Sequence, residues 1–140
     1  MDSIKFVYND GGRSKYFKAK NVGDCVTRAI AIASGMDYKE IYDMVDKAEK
    51  TARGRKKGSA RNGAYRKHYE PIIEKLGGVW VPTMKIGSGC TIHVKAEELP
   101  NGRIICKCSR HLIAVIDGVI NDTYESSRGG TRCVYGYWKF

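Results

Sequence analysis

The sequence predicts an α+β fold, with N-terminal helices packed on a C-terminal antiparallel sheet. Three observations carry this. Between Cys25 and Leu76 the apolar residues recur at helical spacing. Beyond Gly78 the pattern changes to short β-rich runs separated by turn residues. A length of 140 residues without internal repeat or linker suits a single domain spanning 1–140.

Taken in order, residues 4–8 (IKFVY) read as a strand and Gly11-Gly12 as a turn, with residues 15–19 (KYFKA) pairing back as a second strand. Val26, Ala29, Ile30 and Ala33 mark the buried face of a helix from Cys25 to Ser34. Gly35 sits where a left-handed C-terminal cap belongs, and Asp24 is placed as the N-cap. A second helix begins after Asp37, with Glu40 completing a capping box and Tyr38, Ile41, Tyr42, Val45 and Ala48 as its apolar stripe. The basic, glycine-punctuated stretch from Arg53 to Lys67 reads as a mobile loop. A third helix near 65–76 packs Tyr69, Ile72, Ile73 and Leu76, and Pro71 either kinks it or marks its start. VWVPTM, TIHV, RIICKC, HLIAVI, VIND and CVYGYW then supply the strands.

Composition narrows the function classes. No run approaches the roughly 18–20 apolar residues of a membrane span, and the N-terminus lacks a secretory h-region, so a cytoplasmic protein is expected. Five cysteines, an odd number at spacings that suggest no disulfide framework, are expected as reduced thiols. The net charge of +10 predicts attraction to nucleic acid or to an acidic protein partner.

The residues that carry chemistry lie at both ends of the chain. Cys25 falls in the first turn of a buried helix, where unpaired N–H groups and the helix dipole favour a thiolate. Asp24 opposes this unless its carboxylate is turned away. Of three histidines, His68 lies in a charged stretch and reads as surface, and His93 sits in a strand of undefined register. His111 opens HLIAVI, the most apolar strand. A two-residue Asp117-Gly118 turn would pair Ile116 with Val119, Val115 with Ile120, Ala114 with Asn121 and Ile113 with Asp122. His111 and Asp122 then become diagonal neighbours on one face. Such a carboxylate accepts from one imidazole nitrogen and leaves the other for the thiol. The backbone N–H of Cys25 is one candidate oxyanion donor, and the Asn21 side-chain amide is the second.

A cysteine opening a long buried helix, with a distant His and Asp on adjacent strands, resembles the papain-like fold of cysteine peptidases. GDCVTRAIAIASGMDYKEIYDMV and HLIAVIDGVINDTYESSRGGTRCVYGYW resemble, more closely, a group of small phage and bacterial proteins. These carry a D-C-x-x-R-A helix, a Y-x-x-x-Y helix and an H-x-x-A-V-x-D-G-x-x-x-D-T hairpin. The resemblance implies Cys25 as nucleophile, His111 as base and Asp122 as the third member, acting on an amide or isopeptide bond of a protein or peptide. Peptidase, deamidase, transglutaminase-like and deubiquitinase-like outcomes share the thioester intermediate. For a phage-encoded chain the site of action would be the host cytoplasm. Asn21 departs from the usual papain-like pattern, which places a Gln near that point at a different spacing.

Two other readings compete. Cys90, His93, Cys106, Cys108 and His111, with Cys133 nearby, could ligate zinc, but Cys106 and Cys108 share a strand face as core residues do, and neither metal nor cofactor is called for. Arg53, Arg55, Lys56, Lys57 and Arg61, with Arg66 and Lys67 beyond them, could bind an acidic partner or track phosphates, with Tyr65 and Tyr69 stacking on bases. The expected partner is a protein or peptide substrate, with an acidic one suited to the charge. Nucleic acid is the less favoured partner.

Overall fold

A computed structural model describes residues 4–18, 23–51, 58–61, 63–85 and 87–140. Strand β1 (Lys5–Tyr8) is followed by helices α1 (Cys25–Ser34), α2 (Tyr38–Thr51) and α3 (Arg66–Lys75). Strands β2 (Val79–Pro82), β3 (Arg103–Cys108), β4 (His111–Ile116), β5 (Val119–Asp122) and β6 (Gly136–Lys139) complete an α+β fold. The sheet order is β1-β5-β4-β3-β6-β2.

Helix α1 has the expected bounds, and Gly35 closes it at φ 75° with its N–H on the Ala31 carbonyl. Every residue from Val26 to Ala33 is buried, the pattern of a helix enclosed on all sides rather than laid on a surface. Its alanines (Ala29, Ala31, Ala33) keep it narrow enough to lie between the sheet and α2. Pro71 lies inside α3, so it does not mark the helix start.

Alternation along β3 and β4 builds two cores. Ile105, Leu112 and Ala114 pack with Ile30, Ile41, Ile73 and Trp138 on the helical side. Ile104, Cys106, Ile113, Val115 and Ile120 pack on the other side with Val94, Leu99 and Val134. Both faces are covered, which is why HLIAVI reads as continuously apolar rather than alternating.

The sheet departs from the expected antiparallel arrangement in one place. β1 pairs with β5 in parallel, Lys5 opposite Val119 and Tyr8 opposite Asp122, so the sheet is mixed. The expected partner strand at 15–19 is absent from 15–18: Arg13–Lys15 forms a 3-10 turn, and residue 19 lies outside the described residues. The turn follows from Asp10, whose carboxylate accepts the N–H groups of Gly12 and Ser14 and curls the chain away from β1. TIHV forms only a bridge at His93–Cys133, and the last strand begins at Gly136 rather than Cys133. Gly136 is required there, because a Cβ would stand 2.2 Å from the Trp80 ring laid across it.

The expectation of five reduced thiols is also corrected. Cys90 and Cys133 are bonded. The segments holding them run side by side: Val134 donates to the Ile92 carbonyl, and the Thr83 hydroxyl to the Val134 carbonyl. That proximity spans 43 residues of sequence and leaves no spacing signal. Cys25, Cys106 and Cys108 are free. A thiol titration of the denatured protein is therefore expected to give three thiols before reduction and five after. Among the described residues no helix is long and apolar enough to cross a membrane.

Candidate active site

The N-terminus of α1 and the β4–β5 hairpin carry the site. Asp117 at φ 48° and Gly118 at φ 76° make the two-residue turn, and the pairs Ala114–Asn121, Val115–Ile120 and Ile116–Val119 follow in the expected register. His111 therefore opens β4 beside the end of β5, and its Nε2 lies 2.8 Å from Asp122 Oδ2. The remaining nitrogen, Nδ1, is left for Cys25, whose thiol is hydrogen-bonded by the His111 side chain and by the Leu112 backbone N–H. Cys25, His111 and Asp122 thus form one connected line.

The neighbours of each member shift it towards its charged form. Burial alone would push the Cys25 thiol up, but the His111 hydrogen bond and charge, the Leu112 N–H and the Arg28 charge outweigh it and lower its pKa. For His111, burial disfavours the imidazolium, yet hydrogen bonds to Asp122 and Cys25 raise the pKa. Asp122 is held below the ordinary carboxylate range despite its burial, by the His111 hydrogen bond, the Arg28 charge and the Ser126 hydroxyl. All three directions favour the charged forms: thiolate, imidazolium and carboxylate.

Behind Asp122 lies a buried ionic chain that sequence reasoning missed. Arg28 Nη2 donates to Asp122 Oδ1 at 2.8 Å, and its Nη1 pairs with Asp24. Asp24 also accepts from Arg13 Nη1 at 3.0 Å and from the Tyr38 hydroxyl at 2.7 Å. Asp24 occupies the N-cap position, but its side chain makes no cap hydrogen bond. Its carboxylate is matched by two guanidinium groups and a phenol, which removes its opposition to a thiolate next door. Asp122 is saturated as well, taking the Thr123 N–H at 2.7 Å and the Ser126 hydroxyl at 2.8 Å. The available signal was Arg28 itself: an arginine one turn after Cys25, in an otherwise apolar helix, at i+4 from Asp24.

The site opens into a cleft of about 640 Å³ walled by Tyr65 before α3, Arg66 at its first position, Lys107 of β3, Arg110 of the β3–β4 turn, and Tyr124 after β5. The Tyr124 ring lies 5.5 Å from that of His111, covering the imidazole from the solvent side. Buried Glu49 of α2 meets the near wall, accepting the N–H groups of Gly58 and Tyr65, and its carboxylate lies 2.7 Å from His68 Nδ1.

No family model, curated protein or solved structure matches this chain. The geometry of its own residues is therefore the basis of any functional reading.

The other sequence candidates fall elsewhere. Asn21, Arg53, Arg55, Lys56 and Lys57 lie outside the described residues. Arg61 is exposed and does not line the cleft. His68, expected at the surface, is largely covered against Glu49, with its side chain 10% exposed. His93 lies 3.1 Å from Glu98. Cys106 and Cys108 are core residues whose thiols burial pushes up, so neither competes with Cys25 as a nucleophile.

Proposed function

We propose that this chain is a papain-like cysteine hydrolase or acyltransferase, acting on an amide or isopeptide bond of a protein or peptide. The observation that carries the reading is the connected line Cys25–His111–Asp122, with the thiol at a helix N-terminus and the carboxylate on the far nitrogen of the imidazole.

The chemistry follows from that line. The Cys25 thiolate attacks the carbonyl carbon, and negative charge passes to the carbonyl oxygen. Donors for that oxyanion are the Cys25 backbone N–H, in the unpaired first turn of α1, and in this proposal the Asn21 amide. The imidazolium of His111 gives its proton to the departing amine as the C–N bond breaks, leaving a thioester. His111, now neutral, takes a proton from water or from an acceptor amine, which attacks the thioester and frees Cys25. Asp122 keeps its charge throughout, fixing the ring and stabilising the imidazolium. Water as acceptor gives peptidase or deamidase chemistry, and an amine gives transfer.

The thioester step is tested with p-nitrophenyl acetate. One equivalent of p-nitrophenolate per chain is expected in a burst, with an acetyl group on the Cys25 peptide that hydroxylamine removes. Cys25→Ala is expected to lose the burst. Acetylation spread over lysines, with Cys25 unmodified, would contradict the proposal.

A further inference from the structure

Apart from the Cys25 sulfur itself and the tyrosine hydroxyls, the ionisable groups that line the cleft are all basic. Its charged lining consists of His111 and the cations Arg28, Arg66, Lys107 and Arg110, with no aspartate or glutamate among them. Arg28 is committed to Asp24 and Asp122. The other three face the space beside Cys25.

Arg66 and Lys107 are held in place by neighbouring groups, and Arg110 stands at the rim. The Arg66 guanidinium lies 4.3 Å above the Trp80 ring and 5.3 Å from that of Trp138, which holds its plane. Its only carboxylate partner among the described residues is the part-exposed Glu70, at 3.0 Å, outside the cleft lining. Lys107 is half-buried, and its Nζ donates to the Cys108 carbonyl at 2.9 Å, leaving two N–H bonds for another acceptor. Burial and the charges of Arg66 and Arg132 hold its ammonium below the usual range, a penalty that an anion would relieve. No carboxylate pairs with Lys107 or Arg110 among the described residues. Arg110 is exposed, at φ 55° in the two-residue turn joining β3 to β4.

We infer that this cleft is the subsite for a carboxylate-bearing side chain of the substrate, so that the amide bond attacked by Cys25 lies near an Asp or Glu. The inference rests on Cys25 being the nucleophile. Arg66 and Lys107 form the walls, and the Arg110 fork at the rim supplies paired donors for a carboxylate. The exposed Tyr65 ring provides apolar surface for the peptide beside them.

The test uses acetylated alanine-based tetrapeptide vinyl sulfones in which a Glu, or in matched probes a Gln, is walked through the four positions. Rates of Cys25 modification are read by mass spectrometry, and the quantity used is the Glu-to-Gln ratio within each protein, so a general change in thiol reactivity cancels. At one position or more the ratio is expected to be at least about tenfold in the native protein. It is expected to fall towards unity in Arg110→Gln and in Lys107→Met. A ratio near unity at all four positions, with iodoacetamide still labelling Cys25 rapidly at pH 6, would overturn the carboxylate subsite alone. A large ratio that both variants retain would also overturn it, since the His111 imidazolium would then be the source of the preference. Slow iodoacetamide labelling would remove the nucleophile and the subsite together. A single-stranded oligonucleotide that blocks Cys25 labelling while Glu and Gln probes react alike would assign the cations to a phosphate backbone instead.

Discussion

His111→Ala is expected to slow the labelling of Cys25 at pH 6 by about 100-fold or more. The imidazole supplies both the largest lowering influence on the thiol, its hydrogen bond, and the next, its charge. Burial pushes the other way and stays in the variant. The Arg28 charge and the Leu112 N–H also stay, but they oppose that burial without the imidazolium. The thiol therefore returns to the ordinary range near 8.5 or above, where at pH 6 only about 0.3% is thiolate. Lower intrinsic nucleophilicity of an ion-paired thiolate trims the native advantage but does not cancel it. Site-resolved mass spectrometry after timed iodoacetamide exposure measures this, and circular dichroism checks that the variant is folded. A variant that labels as fast as the native protein would mean that the helix terminus, and not His111, activates Cys25.

Arg28→Met is expected to cost about 3–5 kcal/mol of folding stability, measured by urea denaturation. Methionine fills the space and keeps helix propensity, so the loss is electrostatic. Arg28 is 4% exposed and joins two carboxylates, Asp24 at 0% and Asp122 at 2%. Asp24 keeps Arg13 and Tyr38, so its own loss is partial. Asp122 keeps only His111 as a charge partner, and the imidazolium becomes the sole cation opposing a buried carboxylate. The variant should therefore hold its proton on His111 more tightly while becoming less stable overall. Arg28→Lys, which can meet one carboxylate but not span both as a fork does, is expected to recover part of the loss. Loss below about 1 kcal/mol would show that the buried chain is a weak contributor, as exposed pairs are.

Much of the fold was legible because its signals are local. The bounds of α1 follow from Gly35 and from an apolar run that begins after Asp24. The β4–β5 register follows from the two-residue Asp117-Gly118 turn, and with it the meeting of His111 and Asp122. The features that escaped are non-local. β1 finds β5 across more than a hundred residues, and nothing in IKFVY names a parallel partner. The bond between Cys90 and Cys133 depends on two loops brought together by hydrogen bonds of Thr83 and Val134. Asp24 satisfied every rule for an N-cap, yet two arginines and a tyrosine compete for its oxygens more strongly than backbone N–H groups do. The charge-assisted contacts win, and only the three-dimensional approach of Arg13 and Tyr38 reveals it.

The central claim is that Cys25 is a thiolate held by an imidazolium. Its most direct test is the pH profile of iodoacetamide labelling at Cys25 in the native protein. A thiol with lowered pKa gives a rate that climbs below the ordinary thiol range, as the proton leaves sulfur. A second change is expected above the ordinary imidazole range, where His111, its pKa raised, loses its proton. A single rise centred near or above about 8.5, with no reaction at pH 6, would describe an ordinary thiol and contradict the account.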